Sequence, residues 1–128
     1  MTDSSLPIQI SKELGEVADL FRDIGMKKNY ALVLVSLLQD TDLSSRDIER
    51  ITDLRQPEVS LALTDLMKRK WVDVVHLITE NKGRPVKIYH IMKKPEVILE
   101  ELQKEIVGDY ERKIREITRV KEKILLNK

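Results

Sequence analysis

The sequence predicts a mainly α-helical domain that carries one small β-hairpin and ends in a long helix. Three observations support this fold class. Apolar residues recur at three- and four-residue spacing over most of the 128-residue chain. Two segments, residues 71–78 and 86–92, are instead rich in β-branched and aromatic residues, which favour strands. From Pro95 almost to Lys128, a single apolar stripe continues at helical spacing.

Composition limits the classes to which the protein can belong. Hydrophobic residues make up 41% of the chain, enough to fill a core, and the length favours one domain with an extension. The absence of cysteine excludes disulfides, thiolate metal sites and thiol nucleophiles, and it fits a reducing compartment. No segment has the roughly 20 apolar residues that span a bilayer, and residues 1–10 lack a signal-peptide pattern. We therefore expect a cytoplasmic protein in which residues 1–10 form a flexible leader.

The first two helices are predicted from periodicity and from their termini. An amphipathic pattern covers residues 11–24, with Ser11 suited to the N-cap and Gly25 suited to the stop. The run Ala31–Leu38 is apolar at all but one position, which fits either a buried helix or a buried strand. Polar residues on both sides favour a helix over residues 27–39 that crosses the middle of the core.

Residues 44–70 predict two helices separated by a tight turn. Ser44 and Asp47 have the spacing of a capping box, in which side chains and first-turn amides bond one another. The pattern then breaks before Pro57, which suits the first position of a second helix over residues 57–70.

The next segment predicts a β-hairpin. The two strand segments flank residues 79–85, which are polar and turn-forming, so the strands should pair with a loop that projects beyond the sheet. A short helix, a tight turn, a second helix and a hairpin in this order form a winged helix-turn-helix, here over residues 11–94. In that motif the second helix enters the major groove of DNA.

Residues 95–128 predict one helix of about 50 Å. Its apolar residues lie about 3.6 residues apart on average, and the helix is longer than the preceding domain can cover. The polar side mixes acidic and basic residues evenly, unlike a lipid-binding helix. We therefore expect this helix to form a homodimer interface, with help from residues 11–24. The predicted interface residues are Leu99, Leu102, Ile106, Tyr110, Ile114, Ile117, Val120 and Ile124.

The segments Leu43–Ile48, Pro57–Leu63 and Asn81–Tyr89, together with Trp71-Val72, point to a known family. They resemble winged helix-turn-helix transcription regulators of the ArsR, MarR and TrmB type, and the wing is similar to wings of archaeal members. The resemblance covers about residues 14–92. It implies a homodimer that binds operator DNA, with the C-terminal helix in the dimer interface.

The net charge of +1 is an average over segments of different charge. Residues 1–43 carry a net charge of −3, residues 95–128 a net charge of 0, and residues 44–94 a net charge of +4. The positive excess therefore coincides with the predicted DNA-binding surface, and dimerisation would double it to about +8, enough for several phosphate contacts.

Candidate DNA contacts lie on the outer face of the second helix, at the preceding turn and on the wing. Gln56 could hydrogen-bond adenine, and Leu61 could contact a thymine methyl group. Glu58 could accept a hydrogen bond from cytosine N4, or it merely complements the helix dipole. Arg84 at the wing tip suits a narrow minor groove, the alternative being a loop that is polar only for solubility. Phosphate contacts are expected at the turn and at the start of the short helix. The full set is Ser45, Arg46, Arg55, Gln56, Glu58, Ser60, Leu61, Thr64, Lys68, Lys82 and Arg84.

These features predict a sequence-specific, double-stranded DNA-binding transcription regulator that acts as a homodimer. The recognition helix, residues 57–70, would enter the major groove, and the wing, residues 79–85, would lie on the adjacent backbone or minor groove. The alternative is a winged-helix protein–protein interaction module without base readout. Three features support that alternative: the near-neutral charge, the acidic Glu58 and Asp65, and Leu61 where the family often has Arg or Lys.

Enzymatic and metal-binding functions have weaker support. The chain lacks cysteine, no serine has a histidine in a plausible arrangement, and Gly83 alone cannot form a phosphate cradle. His76 and His90 are expected to face each other in the two strands, but a metal would need further ligands. We expect no cofactor and no metal, and the sequence leaves a small-molecule effector open.

Overall fold

The computed structural model of the protein describes residues 11–39, 41–79 and 85–126. The predicted leader, residues 1–10, lies outside the described residues, as do Lys82 and Arg84 of the wing. The chain divides into two compact units, one ending at Lys93 and the other beginning at Lys94. The elements, in chain order, are α1 (Lys12–Asp23), α2 (Lys28–Leu37), β1 (Leu43–Ser44), α3 (Ser45–Thr52), α4 (Gln56–Lys68), β2 (Val72–Thr79), β3 (Pro85–Ile91) and α5 (Pro95–Leu126).

The predicted fold class is confirmed. The first unit has the element order of a winged helix-turn-helix, and the second unit is the long helix α5. None of the helices among the described residues is both long enough and apolar enough to cross a membrane.

Helix α1 begins and ends where the sequence predicts. The Ser11 hydroxyl accepts a hydrogen bond from the Leu14 amide at 3.2 Å, which caps the N-terminus. At the other end Gly25 has a φ of 107°, in the left-handed region that suits glycine. The Gly25 amide donates to the Arg22 carbonyl and the Met26 amide donates to the Phe21 carbonyl, both at 3.0 Å. These two bonds form a Schellman motif, which satisfies the last carbonyls of the helix.

The apolar run near residue 34 is a helix, as predicted, and lies at the centre of the core. Nearly every residue of α2 from Ala31 onward is buried. The one polar residue among them, Ser36, donates its hydroxyl hydrogen to the Val33 carbonyl at 2.7 Å. That bond satisfies the hydroxyl without a partner from outside the helix.

The helix-turn-helix consists of α3 and α4. The predicted capping box is confirmed: the Asp47 amide donates to the Ser44 hydroxyl at 3.1 Å, and the Ser44 amide donates to the Asp47 carboxylate at 3.0 Å. Helix α4 begins at Gln56, one residue before the predicted start, so Pro57 occupies the second helical position. It ends at Lys68, two residues before the predicted end, because Lys70 adopts a left-handed conformation with a φ of 64°.

Among the described residues, the sheet has three antiparallel strands in the order β1-β3-β2. The sequence predicts only the β2–β3 hairpin, which is present with slightly shifted ends. The additional strand β1 places Leu43 opposite Tyr89 and Ser44 opposite Ile88. Because β1 has only two residues, it leaves no alternating pattern in the sequence.

The expected pairing of His76 with His90 is wrong. The register places His90 opposite Asp73, and His76 opposite Ile88. An irregularity between Val74 and His76 shifts the register within the hairpin, which a count of residues along the two strands does not reveal.

Candidate nucleic-acid interface

Helix α4 has one buried face and one exposed face. It packs against α2 and α3, and the buried face consists of Val59, Ala62, Leu63 and Leu66. The exposed face includes most of the residues that the sequence nominates for base contact: Gln56, Ser60, Leu61, Thr64 and Lys68. Burial of these four apolar side chains thus fixes which side chains of α4 point away from the core.

The Glu58 side chain is held at the N-terminus of α4 by the backbone amide of Arg55. Its carboxylate Oε1 accepts a hydrogen bond from the Arg55 amide at 2.8 Å, and Glu58 is half-buried. Carboxylates at this position also complement the positive end of the helix dipole. The carboxylate therefore has a structural role at the site where the sequence also suggests a base contact. Arg55 itself is exposed at the N-cap, beside Gln56.

The second acidic residue of α4, Asp65, forms an ion pair with Arg69. The Asp65 Oδ2 and Arg69 Nε atoms are 2.9 Å apart, and each side chain is 30% exposed. The Arg69 guanidinium also lies over the Trp71 ring, 4.8 Å from its centroid. This cluster joins the end of α4 to the start of β2, and the charge of Asp65 is balanced locally.

The first turn of α3 places two further candidates near the surface. Arg46 is exposed and Ser45 is half-buried, and the capping box at Ser44 and Asp47 fixes the turn that carries them. Asp47 also forms an ion pair with Arg50, at 2.5 Å. The acidic group of this turn is therefore occupied by the Ser44 amide and by Arg50.

The described part of the wing adds one cation that the sequence reasoning does not single out. Lys87 is exposed on β3, opposite Leu77 in the register. Strand β3 begins at Pro85, two residues before Lys87. This position in the strand is the signal that identifies Lys87 as a wing residue. The predicted contacts Lys82 and Arg84 lie outside the described residues.

The predicted interface residues of α5 differ in exposure. Leu102 is buried and Ile106 is half-buried, whereas Leu99 is 50% exposed. The remaining side chains of the apolar stripe are 55–67% exposed: Tyr110, Ile114, Ile117, Val120 and Ile124. An exposed apolar stripe of this length is typical of a protein–protein interface.

His90 interacts with an acidic residue, Asp42. Its Nδ1 atom lies 2.5 Å from Oδ1 of Asp42, which connects β3 to the segment before β1. Within residues 11–39, 41–79 and 85–126, no three histidine or acidic residues are clustered as they would be in a metal site.

Comparison with known proteins identifies a likeness of fold. No family model and no curated protein matches the chain. Among solved structures, a possible transcriptional regulator from Methanosarcina mazei Go1 superimposes with a TM-score of 0.57 and 15% sequence identity. The alignment covers 84% of this chain and 85% of that chain. The two proteins share a fold. Because the match extends over most of both chains, it is not confined to the helix-turn-helix.

Proposed function

We propose that the protein is a transcription regulator that binds double-stranded DNA as a homodimer, with α4 in the major groove and the wing on the adjacent backbone or minor groove. The observation that carries this proposal is the exposed face of α4, which presents short polar side chains and one lysine around Leu61. Helices of this kind read base edges from the major groove. The fold shared with a possible transcriptional regulator supports the same function.

Local interactions offset part of the acidic charge of the helix-turn-helix. Among the five acidic residues in residues 44–70, Asp47, Glu58 and Asp65 each interact with an arginine, a backbone amide, or both. Their negative charge is therefore partly balanced, whereas Arg46 and Arg55 are exposed on the same part of the fold. The resulting surface is suited to phosphate contact.

We further infer that the protein belongs with regulators of the ArsR, MarR and TrmB type, of the archaeal kind, and acts in the cytoplasm without catalysis. The residue patterns at Leu43–Ile48, Pro57–Leu63 and Asn81–Tyr89 support this assignment. Its homodimer would be built on the exposed stripe of α5.

Fluorescence anisotropy with labelled duplex DNA tests the proposal. The logarithm of the affinity should fall linearly with the logarithm of salt concentration, because each phosphate contact releases counterions. An unlabelled single strand of the same sequence should compete poorly. Absence of binding at low salt to random and genomic duplex pools would contradict a DNA-binding function.

Leu61 favours a second candidate function, a protein–protein interaction module. Its side chain is 63% exposed at the centre of the outer face of α4, where it suits either a thymine methyl group or an apolar pocket of a partner. Leu61→Ala in the full-length protein separates the two functions. A loss of duplex affinity indicates base contact, whereas unchanged duplex affinity combined with loss of a protein partner indicates the interaction module.

A further inference from the structure

The long helix α5 has a segregation of charge that its net charge of zero conceals. Residues 95–111 contain six acidic residues and one basic residue, a net charge of −5. Residues 112–128 contain two acidic and seven basic residues, a net charge of +5. The helix dipole favours this arrangement only within the first and last turns. It does not explain the acidic residues at 105–111 or the basic residues at 112–115, which lie in the middle of the helix.

The apolar stripe of the same helix is exposed over most of its described length. From Tyr110 to Ile124 its large side chains are more than half exposed. At 100° per residue, the stripe from Leu99 to Ile124 occupies one band about 120° wide on a straight helix. A band of this width is suited to pairing with a second helix along its length.

We propose that α5 pairs with α5 of a second copy of this chain in the antiparallel orientation, which specifies the homodimer of the proposed function and rests on it. In this orientation the acidic half of each helix lies beside the basic half of the other. Two antiparallel copies of one helix are related by a two-fold axis, so the same contacts occur twice.

The spacing of the apolar residues fits this orientation. With the two-fold axis near residues 111–112, Leu99 lies opposite Ile124, and Ile106 lies opposite Ile117. Tyr110 then lies close to Ile114 of the second copy, on either side of the axis. Each of these residues therefore meets an apolar residue, although their intervals of three and four residues are irregular.

Charged residues within and beside the band discriminate between the two orientations: Lys113 and Lys121 lie within its width, and Glu100 and Asp109 lie outside its edges. Antiparallel pairing brings Glu100 alongside Lys121 of the second copy, and Asp109 alongside Lys113 of the second copy. Parallel pairing would align the two acidic halves with each other and the two basic halves with each other. Like charges at facing positions destabilise helix pairs and opposite charges stabilise them, so the charge distribution favours the antiparallel dimer.

Engineered cysteines test the orientation directly, because the chain has no cysteine of its own. Leu99→Cys and Ile124→Cys are prepared as separate full-length proteins, mixed and oxidised. An antiparallel dimer gives a disulfide only in the mixture, since Cα atoms must approach within about 4.4–6.8 Å. Arg115→Cys, on the opposite face of α5, is the control and should remain uncross-linked. Efficient cross-linking of either stripe variant with itself, or no product from the mixture, would overturn the antiparallel arrangement.

Charge reversal provides a second, independent readout. Lys121→Glu, within the band, should raise the dimer dissociation constant about tenfold, because two ion pairs become two like-charge pairs. Arg115→Glu makes the same change in charge on the far face and should leave the constant nearly unaltered. Mixing Lys121→Glu with Glu100→Lys should restore association. Sedimentation equilibrium measures the wild type, the three variants and the mixture, and circular dichroism verifies their folding. Equal effects of Lys121→Glu and Arg115→Glu would contradict the proposal.

The outcomes for the dimer and for DNA binding are separable. A cross-linked antiparallel dimer that binds no DNA would contradict the proposed function and leave the dimer standing. A wild-type protein that binds duplex DNA but sediments as a monomer at all accessible concentrations would overturn the homodimer, and with it the antiparallel arrangement, and leave DNA binding standing.

Discussion

Glu58 combines a structural contact with a position on the candidate DNA surface. Its carboxylate accepts the Arg55 amide at the start of α4, so the helix terminus already uses one of its oxygen atoms. The sequence leaves base contact and helix stabilisation as alternatives for this residue. The observed hydrogen bond supports the second, and substitution can separate them.

Two substitutions of Glu58 should have different effects. Glu58→Ala should lower the free energy of unfolding by about 1 kcal/mol, because the Arg55 amide loses its acceptor. Glu58→Gln retains an oxygen acceptor and should cost less in urea unfolding. The same Gln variant should bind duplex DNA a few-fold more tightly whatever the sequence, since a negative charge near phosphates is removed. A loss confined to sites with one particular base pair would instead show that Glu58 reads cytosine.

The environment of Tyr89 alters the titration of its side chain. It lies in the central strand between Leu43 and Val74, and burial raises the pKa of its phenol above the ordinary value of 10.0. Below pH 10 the phenol is protonated in both the folded and the unfolded state. Above pH 10 the unfolded chain loses the proton more readily, so the free energy of unfolding falls as pH rises.

Tyr89→Phe should remove this part of the alkaline loss of stability. Urea unfolding of the variant and of the wild type, at about pH 8 and about pH 10.5, measures the difference in pH dependence. Identical pH dependence in Tyr89→Phe and the wild type would contradict the role assigned to burial.

At the scale of elements, the capping box links the sheet to the helix-turn-helix. Ser44 belongs to β1, pairs with Ile88 of β3, and is also the N-cap of α3. One residue therefore fixes the position of α3 relative to the hairpin. The helix cap is the local half of this junction, and the pairing of the short strand with β3 is the nonlocal half.

Removal of the cap should cost more than removal of the ion pair beside it. Asp47→Ala eliminates the acceptor of the Ser44 amide and should lower the free energy of unfolding by about 1–2 kcal/mol. Arg50→Ala eliminates only an exposed ion pair, which contributes about 0.5 kcal/mol or less. Thermal or urea unfolding compares the two variants. Equal losses would mean that the ion pair, and not the cap, stabilises the junction.

The proposed DNA contact of the wing depends on Arg84. Arg84→Ala should weaken binding to operator-length duplex DNA by a factor of about ten, because a cation leaves a narrow minor groove, while the circular dichroism spectrum stays unchanged. Lys128→Ala, far along the chain, is the matched control for loss of one positive charge. Unchanged anisotropy titrations for Arg84→Ala would remove the wing from the proposed mechanism.

At the scale of the whole molecule, a two-fold symmetric dimer should impose symmetry on its binding site. Two recognition helices that enter successive major grooves lie about 34–36 Å apart, one turn of DNA. The preferred operator should therefore be a pseudo-palindrome. Insertion of about half a helical turn between its half-sites should reduce affinity strongly, because the second α4 would then face the wrong side of the duplex.

Footprinting and titration of the spacer variants measure this effect. A control insertion outside both half-sites should change nothing. Equal affinity for the original and the half-turn operators would show that the two DNA-binding units act independently.

Much of the fold depends on interactions between residues close in sequence, and these were predictable. The N-cap at Ser11, the stop at Gly25 and the capping box at Ser44 and Asp47 each involve residues within about one helical turn. Apolar spacing likewise predicts the buried face of α4, because a helix repeats every 3.6 residues whatever surrounds it. Some helix and strand ends differ from the predicted ends by one or two residues. At the end of α4, the reason is the left-handed backbone conformation of Lys70.

The sequence by itself thus determined the helices, the hairpin, the outward face of α4 and the division of charge along α5. Only the tertiary structure decided which distant residues meet. It paired β1 with β3, set His90 beside Asp42 and opposite Asp73, and left the stripe of α5 exposed from Tyr110 onward. The physical reason is range: caps and helical faces arise within a few residues, whereas strand register and exposure depend on how the whole chain packs.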